Sequence, residues 1–242
     1  MSVIVTCVEN NSYGEKAGIL RNDEIISING REITDVLDYR FAIQNKKLSI
    51  SLKRGLENLT VNIRKSSEFS DIGLEFETYL MDKQHSCKNK CIFCFVDQMP
   101  KGLRDTLYFK DDDSRLSFLF GNYITLTNLT EKEADRICEM HISPINISVH
   151  TMNPELRVKM MKNKNSGESL KFIKKFYEAG ILMNTQLVLC PGINDGEELR
   201  YSLSELAKYS PYINSIAAVP VGLTKYREGL EHLDTYNKKN GQ

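Results

Sequence analysis

Hydrophobic and polar residues alternate along the first part of the chain, as they do in strands that bury one face. The stretches with this pattern are 2–8, 23–30, 48–53 and 59–63. The second stretch closes on Asn29-Gly30, a dipeptide that favours a tight hairpin turn. Apolar residues at helical spacing predict a helix over 35–44. The segment 1–66 is therefore predicted to form a small, mainly β domain.

Further along the chain, over 67–242, strand-like apolar runs alternate with amphipathic stretches. Strands are predicted over 123–127, 145–149, 181–189 and 215–219, and helices over 130–140, 154–161, 168–179 and from 195 onward. Thr130 with Glu133, and Asp195 with Glu198, have the spacing of helix-capping pairs. Strands that alternate with helices pair in parallel through right-handed crossovers. The expected fold class is therefore α/β, with a (β/α) barrel over 67–242.

Two stretches are open to more than one interpretation. Residues 72–80 either complete the small sheet of the first segment or form the first strand of the barrel. Residues 97–120 are predicted to be a long irregular loop that carries Asp111-Asp112-Asp113. These aspartates form a solvated acidic turn, or they contact a substrate and shape a cover over the neighbouring cysteines. They lack the spacing of a calcium-binding loop.

Composition narrows the class of protein. The 242 residues are 41% hydrophobic, which suits one or two domains with well-formed cores. Lys and Arg together number 32, as do Asp and Glu, so no net charge favours a nucleic-acid partner. The sequence has no apolar run long enough to span a bilayer and no signal peptide at its start. We expect no membrane partner and a cytoplasmic location.

Three of the six cysteines, Cys87, Cys91 and Cys94, form a C-x3-C-x2-C motif. Three thiolates on a [4Fe–4S] cluster leave one iron free for a small molecule. Alternatively, His85 completes a structural Cys3His zinc site. The other cysteines, Cys7, Cys138 and Cys190, lie within apolar stretches and are predicted to be reduced, buried thiols.

Ligands of parallel β/α sheets lie at the carboxyl ends of the strands. That rule selects six candidate ligand-binding residues, which are Thr127, Asn128, Ser148, His150, Gln186 and Asn194. The asparagines could instead form turns, and His150 could be a structural histidine with satisfied hydrogen bonds. The rule does not identify a catalytic residue among them.

Two resemblances follow from these motifs. The succession Ala17-Gly18-Ile19, Asp23-Glu24-Ile25-Ile26 and Ile28-Asn29-Gly30 resembles a bacterial-type PDZ domain. This resemblance implies a peptide or protein partner, bound by strand addition to a sheet edge. The usual carboxylate-binding loop would precede the first strand, where the chain begins, and Ile72-Gly73-Leu74-Glu75-Phe76 is a candidate replacement.

The cysteine motif followed by β/α repeats resembles the radical S-adenosylmethionine (SAM) superfamily, as does the turn Pro191-Gly192-Ile193-Asn194-Asp195. A Gly-Gly-Glu motif of that superfamily is replaced here by Leu126-Thr127-Asn128-Leu129. The resemblance implies a [4Fe–4S] cluster on Cys87, Cys91 and Cys94 that binds SAM and receives electrons from a flavodoxin- or ferredoxin-type donor. Reductive cleavage of SAM then gives a 5′-deoxyadenosyl radical, which abstracts hydrogen from an unidentified substrate.

The order of these motifs along the chain resembles a bacterial family with an N-terminal PDZ domain, a radical SAM barrel and a C-terminal domain of unknown function. Superfamily barrels usually have six strands, whereas about five are predicted here. We therefore expect a partial barrel that is truncated at its carboxyl end. Two alternatives to an active enzyme are a peptide-binding module with a structural zinc site and an inactive fragment that binds a cluster.

Overall fold

A computed structural model describes residues 3–237, and these divide into two compact units between Gln84 and His85. The first unit contains an antiparallel sheet and the second a parallel sheet, so the chain has a mixed α/β fold. Within the described range, none of the helices combines the length and apolar character needed to cross a bilayer.

Over residues 3–84, the first unit contains six strands and two short helices. In chain order these are β1 (Val3–Val8), α1 (Tyr13–Lys16), β2 (Glu24–Ile28), β3 (Arg31–Glu32), α2 (Val36–Ala42), β4 (Lys47–Arg54), β5 (Glu57–Arg64) and β6 (Leu74–Phe76). The sheet order is β5-β4-β2-β1-β6, with β3 paired to β2. Apolar residues from alternate strand positions, including Val5, Ile25 and Ile50, pack into one core.

Local sequence accounts for the turn and the helix cap of this unit. Asn29 and Gly30 have φ angles of 53° and 79° and join β2 to β3 as a hairpin, as predicted. The carboxylate of Asp35 accepts hydrogen bonds from the backbone N–H groups of Leu37 and Asp38, so α2 begins where the sequence indicates.

The structure decides between the two interpretations of 72–80. Strand β6 pairs antiparallel with β1, and Leu74 lies opposite Val8, so this stretch completes the small sheet. A β-carbon on Gly73 would lie 2.3 Å from the Ser12 β-carbon, so glycine alone fits this close approach. The register of β1 shifts between Val5 and Cys7, and Cys7 is exposed, contrary to the prediction of a buried thiol.

Over residues 85–237, the second unit contains three strands, five helices and several short 3-10 turns. Its helices and strands are, in chain order, α3 (Ser114–Phe120), α4 (Glu131–Glu139), β7 (Ile145–Ser148), α5 (Pro154–Met161), α6 (Lys171–Glu178), β8 (Met183–Leu189), α7 (Gly196–Ala207) and β9 (Ile213–Pro220). Strands β7, β8 and β9 form a parallel sheet in that order. Ile137 of α4 and Phe176 of α6 share a core with Ile147 and Met183 of the sheet.

Most of the predicted elements of this unit are present, but the described residues do not form a closed barrel. The predicted strand 123–127 contributes only one bridge, between Ile124 and Ile147. Side chains occupy the next backbone groups: Asp112 accepts from the N–H of Thr125, and Arg157 donates to its carbonyl oxygen. Because these groups are already hydrogen-bonded, the strand does not continue.

Two helix starts and one loop show where local patterns succeed or fail. The Thr130–Glu133 capping box is present at the start of α4. Asp195 lies at the N-cap of α7, but its carboxylate accepts from the backbone N–H of Gly192, and Glu198 accepts from Thr151, so the predicted capping pair is wrong. The predicted irregular loop 97–120 instead contains α3.

Candidate functional site

A cavity of about 530 Å³ lies in the second unit, a size typical of small-molecule sites. Six of the residues singled out in the sequence line it: Cys87, Cys91, Cys94, Ser148, His150 and Gln186. Aromatic residues, among them Phe93, Phe95 and Tyr123, make part of its lining apolar. Three thiols and several hydrogen-bonding groups from the parallel sheet therefore face one space.

Backbone hydrogen bonds hold the cysteine loop in place. The N–H groups of Lys90 and Ile92 donate to the carbonyl oxygens of Met161 and Met160 at 3.0 and 2.9 Å. These carbonyls belong to the last turn of α5, where helical carbonyls have no partner within the helix. The N–H of Cys87 donates to the carbonyl oxygen of Lys110 at 2.7 Å. The backbone of the cysteine loop is thus anchored on the C-terminal end of α5, which lies far along the chain.

The protein environment disfavours free thiolates at these positions. Burial, followed by the negative charges of Cys87 and Cys94, raises the pKa of Cys91 to about 12. Burial also raises the pKa of Cys87. Lys110 and Arg157 act in the opposite direction on Cys91, because positive charge stabilises a thiolate. The three sulfurs are near enough to repel one another as anions, and a bound metal cluster would remove that penalty.

Arg157 is fully buried. Its guanidinium donates hydrogen bonds to the carbonyl oxygens of Thr125, Ser148, Val149 and Ser166 and to the hydroxyl of Ser169. Burial lowers its pKa to about 10, and Cys91 and Asp112 partly offset that effect. Arg157 therefore ties the end of β7 to the 125–127 stretch and places a positive charge close to the cysteines.

His150 is buried and is held in its neutral form. Its Nδ1 accepts a hydrogen bond from the backbone N–H of Val188 at 3.2 Å, so the proton of the neutral ring is on Nε2. Its ring packs against Phe93 with centroids 4.5 Å apart. Burial, with a smaller contribution from Arg157, lowers its pKa to about 3. His150 can donate one hydrogen bond from Nε2, but it is not charged at neutral pH.

The low pKa of His150 predicts an acid-labile fold. A histidine whose pKa falls from 6.5 in the unfolded chain to about 3 gives stability that is complete above pH 6.5 and is lost as the pH falls toward 3. We expect the metal-free protein to lose about 2 kcal/mol of unfolding free energy through this residue between pH 7 and pH 5. Urea denaturation at both pH values, compared with the His150→Asn variant, measures this loss.

Asparagine tolerates the left-handed backbone of His150, where φ is 64°, and does not titrate in this range. Asp112 acts in the opposite direction, because burial raises its pKa to about 6 and its stabilising effect is lost as the pH rises through that value. Both proteins share the Asp112 effect, so the difference between them isolates His150. Equal losses in the two proteins would contradict the assignment.

The three consecutive aspartates have three separate roles, so they do not form a solvated acidic turn. Asp113 caps α3, accepts from the backbone N–H of His85 and pairs with Arg115 at 2.7 Å. Asp112 accepts from the N–H and the hydroxyl of Thr125. Asp111 lines the cavity and accepts from Asn122 at 2.7 Å.

The other three candidate residues lie away from the cavity lining. Asn194 is buried, and its amide bonds to the backbone groups of His150, Val188 and Cys190, so it braces the end of β8. Asn128 donates to the carbonyl oxygen of Ser86 at 2.9 Å and lines a much smaller cavity. Thr127 donates to the side chain of Asn89 at 3.1 Å, behind the cysteine loop.

Sequence reasoning missed several residues that surround the thiols. Asn89, Lys110, Asn122 and Thr125 line the same cavity as the cysteines. Lys110 also pairs with Asp97 at 2.6 Å. Only Asn89 carried a signal that could have revealed it, since it lies between two cysteines of the motif. The others come from stretches whose place beside the loop depends on the fold.

The donor set fits a cluster held by three cysteines better than a Cys3His site. His85 lines a small cavity with Asp112 and Glu133, whereas the cysteines line the large one. Residues 3–237 contain no group of three or more His, Cys, Asp or Glu side chains gathered for a single metal ion. In a [4Fe–4S] cluster each thiolate binds a different iron, so its sulfurs do not converge on one ion.

Comparison with known proteins agrees with the two-part organisation of the chain. A family model described as a radical SAM-like domain matches residues 66–216, and one described as a PDZ domain matches residues 4–54. Among curated proteins, no sequence matches the chain closely enough to indicate a relationship.

Proposed function

Because this chain belongs to the radical SAM-like domain family, with a PDZ domain at its amino end, we propose that it is a radical SAM enzyme. In this proposal Cys87, Cys91 and Cys94 hold a [4Fe–4S] cluster, and SAM binds beside it. The observation that carries the proposal is that these three thiols share one cavity of about 530 Å³ with Ser148, His150 and Gln186. Bound together, the cluster and SAM supply reductive cleavage of SAM to a 5′-deoxyadenosyl radical that abstracts hydrogen from a substrate.

The residues around the thiols have tasks that follow from their chemistry. Neutral His150 keeps a hydrogen-bond donor at the cavity without adding charge, while Ser148 and Gln186 offer groups that donate and accept. The ammonium of Lys110 and the guanidinium of Arg157 offset the negative charge of the thiolates. Phe93 and Phe95 give the cavity part of its apolar lining.

Several finer features belong to the same proposal. The parallel sheet is part of a (β/α)6 barrel, and the PDZ-like domain includes β6, so the catalytic domain begins after Gln84. The PDZ domain binds a peptide or protein, which makes a polypeptide the first substrate class to test. A flavodoxin- or ferredoxin-type protein supplies the electron. The reaction takes place in the cytoplasm, where thiols stay reduced.

Anaerobic reconstitution with iron and sulfide tests the proposal. We expect about four irons per chain, thiolate-to-iron absorbance that bleaches on reduction, and formation of 5′-deoxyadenosine when SAM and a reductant are added. Methionine formed in the same amount as 5′-deoxyadenosine would show that SAM breaks at the bond between sulfur and the 5′ carbon. A protein that takes up one tight zinc and no iron would reject the proposal in favour of a structural metal site.

A further inference from the structure

The side chain of Asn89 connects the cysteine loop to the polar groups behind it. It is 3% exposed and lies between Cys87 and Cys91 in the chain. Its amide nitrogen donates to the sulfur of Cys87 at 3.3 Å and to the hydroxyl oxygen of Thr125 at 2.9 Å. Since a side-chain amide nitrogen has two hydrogens, both are used.

The amide oxygen of Asn89 is equally well satisfied. It accepts from the amide nitrogen of Asn163 at 2.7 Å and from the hydroxyl of Thr127 at 3.1 Å. The single hydroxyl hydrogen of Thr127 is shared between Asn89 and the hydroxyl oxygen of Thr125, which lies 2.9 Å away. Both amide hydrogens and the oxygen of Asn89 therefore have partners. Asn89 joins the cysteine loop, the 125–127 stretch and the turn after α5 into one hydrogen-bond network. Its side chain cannot rotate without losing some of these hydrogen bonds.

The neighbours of Asn89 determine which end of its amide faces the sulfur. Asp112 accepts from both the backbone N–H and the hydroxyl of Thr125, at 2.6 and 2.7 Å. The single hydroxyl hydrogen of Thr125 is thereby used, so its oxygen accepts from Asn89. A reversed amide would put oxygen against oxygen at Thr125 and two NH2 groups together at Asn163. The nitrogen therefore points at Cys87.

From this geometry we infer that Asn89 is a positioning residue that holds the Cys87 sulfur with an N–H···S hydrogen bond and raises the reduction potential of the cluster bound there. The inference rests on the proposed function. A donor to a ligand sulfur stabilises the added negative charge of the reduced cluster more than the charge of the oxidised one. Removing the donor makes reduction harder.

The test compares two substitutions of the same kind within this network. Asn89→Leu removes the donor to sulfur without changing charge, whereas Asn163→Leu removes a neighbouring amide that does not touch the sulfur. In the reconstituted full chain, we expect Asn89→Leu to lower the equilibrium constant for cluster reduction about tenfold. For one electron, this corresponds to a midpoint potential lower by about 59 mV. Asn163→Leu should keep the wild-type midpoint. A redox titration followed by electron paramagnetic resonance, with iron content measured in parallel, gives both values.

The outcomes separate this inference from the proposed function. An unchanged midpoint in Asn89→Leu, or equal shifts in both variants, overturns the role of Asn89 while leaving a cluster-bearing enzyme. If Asn89→Leu takes up no iron, Asn89→Ala decides, because it removes the same donor to sulfur without placing a leucine side chain in the loop. It should lower the midpoint in the same direction, and a wild-type midpoint there overturns the inference. Wild-type protein that binds no iron overturns the proposed function and this inference together.

Discussion

Cys91→Ala is expected to abolish both iron uptake and SAM cleavage. Cys91 is the central thiol of the motif, and the negative charges of Cys87 and Cys94 contribute to its raised pKa. In the proposed site, this substitution leaves two thiolates where three would hold the cluster, which is too few to retain it. We expect iron per chain to fall to background and 5′-deoxyadenosine to be undetectable. Colorimetric iron analysis and chromatography of the products measure the two effects.

Cys138→Ala is the matched control. Cys138 lies on α4, outside the cavity lining, so its removal tests the general effect of losing a thiol. This variant should retain wild-type iron content and cleavage. Full iron content in Cys91→Ala would contradict the assignment of the cluster ligands. Iron loss in both variants would also contradict it, because the loss would then follow from removing any thiol.

Arg157→Met is expected to cause the largest loss of stability. Methionine fills a similar apolar volume but removes the guanidinium donors from the carbonyl oxygens of Thr125, Ser148, Val149 and Ser166. Val149 and Ser166 keep a second donor, the N–H of Thr151 and the hydroxyl of Ser169. Each buried acceptor left unpaired costs about 1–3 kcal/mol. Relaxation and water entry recover part of this cost, so we expect the unfolding free energy of the metal-free chain to fall by roughly 3–5 kcal/mol. Urea denaturation followed by circular dichroism measures it.

Two further variants show whether this loss comes from the hydrogen bonds. Arg157→Lys keeps the charge, but an ammonium has three donors in place of five, so an intermediate loss is expected. Lys159→Met makes a comparable change on the exposed face of the same helix and should alter stability by no more than about 0.5 kcal/mol. Similar losses for Arg157→Met and Lys159→Met would contradict the role given to the buried guanidinium.

The elements that the sequence predicted well are those whose signals are local. The Asn29-Gly30 hairpin and the Thr130–Glu133 capping box are found where the pattern placed them. The predicted strand 123–127 failed because its backbone partners, Asp112 and Arg157, are side chains that lie outside the stretch. Helix α3 was missed because the charged residues around it made the stretch read as a loop.

Some of the residues that the sequence selected line the candidate cavity, whereas others lie away from it. The cysteine trio was visible from its spacing, and the strand-end rule selected Ser148, His150 and Gln186, which do line the cavity with the thiols. The same rule also selected Asn194, whose amide instead holds backbone groups of β8. A polar residue near a strand end is brought to a ligand or to its own backbone by side-chain orientation, which residue type and position do not fix.

The sequence by itself determined the division into a mainly β segment and an α/β segment, the positions of most helices and strands, and the three thiols, because these depend on periodicity and spacing within short windows. Only the tertiary structure decided that β6 joins β1, that Arg157 ties the end of β7 to Thr125, and that Asn89 meets Asn163, a residue 74 positions away. Contacts between distant segments are set by how whole elements pack, and a one-dimensional pattern contains no record of which faces meet.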